Sequence, residues 1–176
     1  MFRLSDARNF LILTCLFSLF CYDANSSSVA SSIENQPRLI VAGACNINFD
    51  PQKNEFKLVS PITVSGQSQR ARCIIRISPS NTQKQVRLVF SALKGEVKKA
   101  PARVAISSLL IGNQPTPSRV LYQSPLYGSS IKFDLTKQIL PTNYTNKGVF
   151  GINLILRTDG GELELTDLKF RLEEIK

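Results

Sequence analysis

Histidine and tryptophan are absent from the 176 residues of this chain, and methionine occurs once. Without histidine, neither Ser-His-Asp nor Cys-His catalysis can operate, and no metal can be held by imidazole. The absence of tryptophan removes the largest aromatic surface that can stack on a sugar ring. No apolar run reaches the about 20 residues that a transmembrane helix needs. The sequence therefore argues against the common hydrolase mechanisms and against a spanning helix.

The N-terminus has the layout of a secretory signal peptide, with a basic start, an apolar run over residues 10–20 and a small-residue exit. We assign residues 1–30 to this signal, with cleavage after either Ala24 or Ala30. The Ser/Asn/Gln-rich residues 31–37 are predicted to be a flexible leader. This layout predicts a secreted protein, extracellular or periplasmic, with no transmembrane segment in its mature chain.

The remaining residues, 38–176, are enough for one domain with a sizeable core. They contain two cysteines, Cys45 and Cys73. An even number of cysteines in an oxidising compartment predicts a disulfide. A redox or metal pair would need closer spacing or further ligands, and the sequence supplies neither. We therefore predict that Cys45 and Cys73 form a structural disulfide.

Apolar and polar residues alternate with the period of half-buried strands along most of this domain. In residues 70–77 the side chains of Ala71, Cys73, Ile75 and Ile77 share one face, and three arginines share the other. Strands are predicted at 39–41, 46–49, 56–59, 62–64, 70–77, 85–90, 104–111, 120–122, 130–135, 149–157 and 164–172. The segment 149–157 is apolar on both faces and should be central in its sheet.

Three local signals refine this reading of the chain. Asp159-Gly160-Gly161 predicts a tight turn into the last strand. The apolar phase of that last strand changes near Thr166-Asp167, which predicts a bulge. A single helical turn is expected at 136–140, ended by Pro141. The domain is predicted to be all-β, an antiparallel β-sandwich of jelly-roll or immunoglobulin-like type with one disulfide.

Charge is distributed unevenly along the chain, which carries a net charge of +9. Between Pro51 and Lys132 there are thirteen Lys/Arg residues and two acidic ones, Glu55 and Glu96. Solvation alone can explain a basic surface, whereas a polyanion site would use it for binding. If the strands around residues 70–77 and 85–90 pair, outward side chains and the following loop form one basic stripe. The predicted binding residues are Arg70, Arg72, Arg76, Arg87, Lys94, Lys98 and Lys99.

Tyr122, Tyr127 and Tyr144 lie in Pro/Gly/Asn-rich stretches and are candidate contacts for a sugar ring, or else covers for the core edge. Asn143-Tyr144-Thr145 is a glycosylation sequon, which has meaning only in a eukaryotic host.

Carboxylates are the remaining candidates for chemistry. Glycoside cleavage needs a pair of them, and the candidates are Asp50 with Glu55, Glu96, Asp134 and the terminal set Asp159, Glu162, Glu164 and Asp167. Asp134, Asp159 and Asp167 are also considered as calcium ligands, but they lack the spacing of a calcium loop. Turn, capping and solvated roles explain these residues better, so we predict no enzyme, no metal and no cofactor.

Four segments of the chain carry a family resemblance. They are the step Gly43-Ala44-Cys45, the strand from Arg72 to Ile77, the loop 124–128 and the closing strand from Glu164 to Leu172. Together they resemble a secreted, cysteine-containing, mostly β family of unknown function found in fungi and cyanobacteria. This resemblance implies no activity. The segment from Ile131 to Thr136 is also similar to the last strands of jelly-roll carbohydrate-binding modules.

Three functional hypotheses follow from these observations. The first is a secreted, non-enzymatic binding module for an anionic polymer or polysaccharide surface, with an acidic polysaccharide or cell-surface polymer as partner. The second is a structural or adhesive subunit of an extracellular fibre, coat or matrix, marked by self-association. The third is a secreted hydrolase. Nucleic acid is not expected as a partner, because no recognition-helix or base-stacking pattern is present.

Overall fold

The computed structural model describes residues 36–80 and 83–175, so the predicted signal peptide and most of the predicted leader lie outside the described residues. Twelve strands and one short 3-10 helix, Thr136–Gln138, make up the described secondary structure. The strands are β1 Arg38–Gly43, β2 Ile47–Asp50, β3 Glu55–Leu58, β4 Ile62–Gly66, β5 Gln69–Ser78, β6 Val86–Lys99, β7 Ala102–Ile111, β8 Gln114–Pro115, β9 Arg119–Gln123, β10 Ser129–Asp134, β11 Phe150–Thr158 and β12 Gly161–Glu174.

These strands form two antiparallel sheets, as predicted for a β-sandwich. Sheet A has the order β1-β5-β11-β7, and both β8 and β9 pair with the outer side of β7. Sheet B has the order β10-β6-β12, with β3 and β4 both pairing with β12 and β2 closing the edge beside β3. No helix in the described part of the chain is long and apolar enough to cross a membrane.

The core lies between the inner faces of the two sheets. On sheet A, the predicted inward residues Cys73, Ile75 and Ile77 of β5 are buried, and β11 contributes four more buried apolar side chains, from Phe150 to Leu156. On sheet B, the rings of Phe56 and Phe170 stack with their centroids 5.2 Å apart. The alternation of apolar residues therefore correctly identified the side of β5 that faces the core.

Strand β11 is central in sheet A, between β5 and β7, as its two-sided apolar sequence predicted. The predicted turn Asp159-Gly160-Gly161 does join β11 to β12, and Gly160 has a φ of +86°, a backbone region that favours glycine. It carries the chain from sheet A to sheet B, so β11 and β12 do not form a hairpin within one sheet.

The longest pairing in the protein joins β6 to β12, and its bulges explain one wrong prediction. The sequence placed residues 94–99 in a loop after a strand ending at Phe90, but β6 continues to Lys99. The register skips Ser91 in β6 and Thr166 in β12, so the inward residues change phase in both strands. A prediction that assumes a strict two-residue period therefore ends strand β6 too early. The bulge predicted near Thr166-Asp167 is confirmed.

Close packing accompanies this long pairing. A Cβ atom added to Gly95 would lie 2.3 Å from the carbonyl oxygen of Glu164 and 2.5 Å from the ring of Phe133. Glycine at this position therefore lets Phe133 of β10 cover β6 directly.

The predicted disulfide is present between Cys45, on the connection from β1 to β2, and Cys73 on β5. Their Cα atoms are 5.2 Å apart, and the two residues are 28 positions apart in the chain. Both are buried at the edge of the core. The bond therefore fastens the segment that leaves sheet A for sheet B to a strand of sheet A.

We expect the double substitution Cys45→Ala and Cys73→Ala to lower the free energy of unfolding by about 3 kcal/mol, because the unfolded chain gains the entropy of an open loop. Urea unfolding followed by circular dichroism measures this change. Reductant should destabilise the wild-type protein by a similar amount and leave the double variant unaffected. Equal stability of variant and wild type would contradict the assignment of a stabilising role to this bond.

Candidate anion-binding face

Charged residues are segregated between the two sheets. The strands of sheet A contain no aspartate, glutamate or lysine, but they contain seven arginines. These are Arg38, Arg70, Arg72, Arg76, Arg103, Arg119 and Arg157. The strands of sheet B carry nine acidic and eight basic residues, of which six are lysines. Sheet A is therefore cationic, and its cations are all guanidinium groups.

Three of these arginines form a row across the outward face of sheet A. Arg157 on the central strand β11 is directly opposite Arg70 of β5 on one side and Arg103 of β7 on the other. Directly opposite residues share a face, with Cβ atoms about 4.5–5.5 Å apart. All three side chains are exposed. We call Arg70, Arg157 and Arg103 the arginine row.

The arginine row lines one open depression of about 320 Å³. Its other lining residues are small or apolar: Ser68, Ala105, Ser118 and Ile155. Arg72 lies one step along β5 on the same face, opposite Ile155. The depression is therefore lined by three adjacent guanidinium groups and by no acidic residue.

No salt bridge in residues 36–80 and 83–175 involves a member of the row. Asp159 follows β11 closely in the chain, but its carboxylate accepts hydrogen bonds from the backbone N–H and hydroxyl of Ser68, at 3.3 and 3.4 Å. Like charges directly opposite each other destabilise a sheet. An anion bound between these guanidiniums would offset that repulsion.

Arg76 occupies the same face but is fixed in place by the protein. Its side chain lies over Gly151, where an added Cβ atom would come within 3.0 Å of the guanidinium. One nitrogen donates hydrogen bonds to the carbonyl of Ile75 at 2.8 Å and to Oδ1 of Asn153 at 2.9 Å. Asn153 in turn donates to the hydroxyl of Ser108 at 2.5 Å. This chain of hydrogen bonds spans β5, β11 and β7 farther along the same strands, since Asn153 is four residues from Arg157 on β11.

The seven residues predicted to form one basic stripe lie on two different sheets. Arg70, Arg72 and Arg76 are on sheet A, whereas Arg87, Lys94, Lys98 and Lys99 are on β6 of sheet B. Strands β5 and β6 do not pair, so the stripe that depended on their pairing does not form. The chain between them passes from one sheet to the other, a topology that local alternation does not reveal.

The predicted cations on β6 mostly have acidic partners. Arg87 pairs with Glu173 and lies 4.8 Å over the ring of Tyr144, Lys94 pairs with Asp134 at 3.2 Å, and Lys98 contacts Glu164 and Glu162. The hydrogen bond from Arg87 lowers the pKa of Glu173, and the hydrogen bond to Glu164 raises the pKa of Lys98. Lys99 is exposed at the end of β6. Sheet B is thus largely neutralised by its own residues.

The predicted tyrosines do not gather at one site. Tyr122 lies on β9, not in a loop, and its ring stacks on Phe133 with centroids 5.2 Å apart. Tyr144 lies under Arg87. Tyr127 is 88% exposed in the connection from β9 to β10, and Asn143 of the sequon is exposed as well. Of the three, Tyr127 offers the most open ring.

The candidate carboxylates are each engaged by near neighbours. Asp50 accepts hydrogen bonds from the backbone of Gln52 and Lys53, Glu55 from Ser91, and Glu96 from Ser130. Asp167 pairs with Lys169. Within the described ranges, no group of three or more Cys, Asp or Glu side chains is placed to hold a metal ion. These hydrogen bonds and the ion pair give the candidate carboxylates structural roles.

Sequence reasoning missed two of the three residues of the row. Arg103 is the second residue of β7 and Arg157 is the second-last residue of β11, and each is the single charged residue of its strand, so neither stands in a visible basic cluster. A usable signal was present, because each lies at the end of its strand nearest to a turn, as Arg70 does. Strands joined antiparallel bring such ends together, but only the register identifies which ends meet.

No family model and no curated protein matches this chain. Among solved structures, the chain is similar in fold to the carbohydrate-binding module TmCBM61, determined in complex with β-1,4-galactotriose. The match has 10% sequence identity and a TM-score of 0.36, and it covers 78% of this chain and 88% of that one. Such a distant likeness does not transfer the ligand of that protein to this chain.

We expect Arg157→Thr to raise the free energy of unfolding by about 0.5 kcal/mol, because it removes repulsion from both Arg70 and Arg103. Denaturant unfolding at low ionic strength measures the change. Arg72→Thr is the matched control, since Arg72 faces Ile155 and should give no comparable gain. A loss of stability in Arg157→Thr larger than in the control would show that the row is not repulsive.

The charges of sheet B predict a different behaviour in acid. Hydrogen bonds from Thr136 and then the contact with Lys94 lower the pKa of Asp134 to about 2. Because this pKa is lower than in the unfolded chain, the stabilising contribution is present above about pH 4 and is lost as the pH falls towards 2. Carbon-detected NMR titration measures the pKa directly. Thr136→Ala should raise it more than Lys94→Gln does, and the reverse order would contradict this assignment.

Proposed function

We propose that this protein is a non-enzymatic binding module that holds an anionic polysaccharide on the outward face of sheet A. The observation that carries the proposal is the arginine row, three directly adjacent arginines that form no salt bridge within the described residues. The natural complement of such a surface is a ligand that presents several negative charges in series.

The chemistry of arginine supports an oxyanion ligand. The guanidinium group is planar, always charged and able to donate two parallel hydrogen bonds to one oxyanion. A row across three strands can contact successive anionic groups of one polymer, so weak single contacts add up. The exposed guanidiniums also attract the polymer at a distance, which accelerates encounter.

The setting supports a polymer that lies outside the cell. The N-terminal residues have the pattern of a secretory signal, and the Cys45–Cys73 bond is a feature of proteins in oxidising compartments. Acidic polysaccharides and other anionic cell-surface polymers are the partners that such a protein meets. The secreted location and the acidic partner are parts of this proposal.

The second hypothesis, a structural subunit, would use sheet edges for association. Two of the edge strands, β1 and β10, carry Arg38 and Lys132, and charged edge residues disfavour edge-to-edge pairing. This observation favours the binding module. Sedimentation of the purified protein distinguishes the two, because a structural subunit self-associates without added polymer.

The test is binding of the purified protein to immobilised anionic and neutral polysaccharides at low and physiological salt. We expect retention on the anionic polymers that weakens as salt increases, because ions screen exposed charges. The triple substitution Arg70→Gln, Arg103→Gln and Arg157→Gln should abolish this retention. The matched control, Arg87→Gln with Lys94→Gln and Lys98→Gln on sheet B, removes the same charge and should retain binding.

Each outcome of this comparison has a distinct meaning. Equal losses in the two triple variants would show that only net charge matters and would overturn the assignment to sheet A. Retention on neutral polymers that survives salt and both triple substitutions would point to Tyr127 and the other tyrosines. Thermal unfolding of each variant verifies that the fold is intact.

A further inference from the structure

We infer that the arginine row is a subsite for a tetrahedral oxyanion ester, a sulfate or phosphate group on the polymer, in preference to a carboxylate. This inference rests on the proposed function and specifies its ligand. The deciding observation is that Arg70, Arg157 and Arg103 line a single depression.

The partition between arginine and lysine is the first argument. All seven cations on the strands of sheet A are arginines, whereas six of the eight on sheet B are lysines. Lysine would supply the same charge for a merely attractive surface. The two side chains differ in that arginine presents a rigid fork of donors, which matches the oxygens of an oxyanion two at a time. The use of arginine therefore indicates directed hydrogen bonds.

The number of oxygens is the second argument. A carboxylate has two oxygens in one plane, and a single guanidinium fork can engage both of them. A sulfate or phosphate ester presents three terminal oxygens pointing in different directions. Arg70 and Arg103 flank Arg157 on either side, on strands about 4.8 Å from the central one. Three forks that approach from three adjacent strands can together engage all three oxygens.

The surroundings of the row are consistent with this ligand. Ser118 lines the same depression and offers a hydroxyl donor. Asp159 lines a second depression together with Arg103 and Arg157, and its carboxylate accepts hydrogen bonds from Ser68. The volume of about 320 Å³ around the row is open to solvent and accommodates a charged group attached to a larger chain.

The experiment compares polymers that share one backbone and differ only in the anionic group: dextran sulfate, dextran phosphate, carboxymethyl dextran and unmodified dextran. Chain length and charge density are matched, and affinity is measured by titration calorimetry at constant ionic strength. We expect dextran sulfate or dextran phosphate to bind about tenfold more tightly than carboxymethyl dextran, which corresponds to one additional charged hydrogen bond. The difference between the sulfate and phosphate arms identifies which ester is preferred.

The decisive variant is the triple substitution Arg70→Lys, Arg103→Lys and Arg157→Lys, which preserves the charge and removes the forks. It should lose the preference for the esters, because its affinity for dextran sulfate and dextran phosphate falls further than its affinity for carboxymethyl dextran. Arg87→Lys on sheet B is the matched control and should keep the preference. If the triple variant does not fold, the single substitution Arg157→Lys tests the same point at the centre of the row.

Failure of the inference is separable from failure of the proposed function. Equal affinity of the wild type for carboxymethyl dextran and both esters would overturn the inference while leaving an anion-binding face. An unchanged preference in the triple lysine variant would also overturn it. Absence of binding to all charged dextrans would overturn the proposed function itself.

Discussion

The register of β11 within sheet A is the constraint on which the arrangement of charges on the outward face of that sheet depends. Its inward side chains, from Phe150 to Leu156, are buried in the core, and a shift by one residue would expose all of them. The core therefore fixes the register strongly. The outward positions are fixed at the same time, including the position of Arg157 between Arg70 and Arg103. A charged arrangement that is unfavourable by itself is thus maintained by apolar contacts on the opposite face.

The two sheets manage charge in different ways. On sheet B, the long pairing of β6 with β12 brings opposite charges together, and the pKa of Glu173 falls while that of Lys98 rises in response. On sheet A, the strand sequences supply no counter-charge. The charges of sheet B are thus largely paired within the protein, whereas the arginines of sheet A remain able to interact with external anions.

Much of the fold could be predicted from sequence, because burial on one side of a strand produces an alternation of apolar and polar residues that is visible locally. Such local patterns were present in three places. They are the period of two in residues 70–77, the two-sided apolar segment that became β11, and the pair Cys45 and Cys73. The length of β6 could not be read in this way, because the bulge at Ser91 inverts the phase. Sheet membership was also inaccessible, since local alternation is the same whichever neighbour a strand pairs with.

The candidate site shows the same limit. Arg70, Arg72 and Arg76 were identified as outward cations from alternation alone, and the structure keeps them on one face. Arg87 was grouped with them because it follows soon in sequence, but it lies on the other sheet beside Glu173. Arg103 and Arg157 were missed because their neighbourhood is created by long-range pairing. Electrostatic sites built across strands therefore need the topology before their members can be named.

The absence of lysine from the strands of sheet A has a practical consequence for handling the protein. Reagents that acylate primary amines react with lysine side chains and leave guanidinium groups intact at neutral pH, because arginine remains protonated. On the strands, such coupling is confined to sheet B, where Lys57, Lys99 and Lys132 are among the amines. A support attached through those amines would hold the sandwich by one side and leave the guanidinium-bearing side turned towards solution.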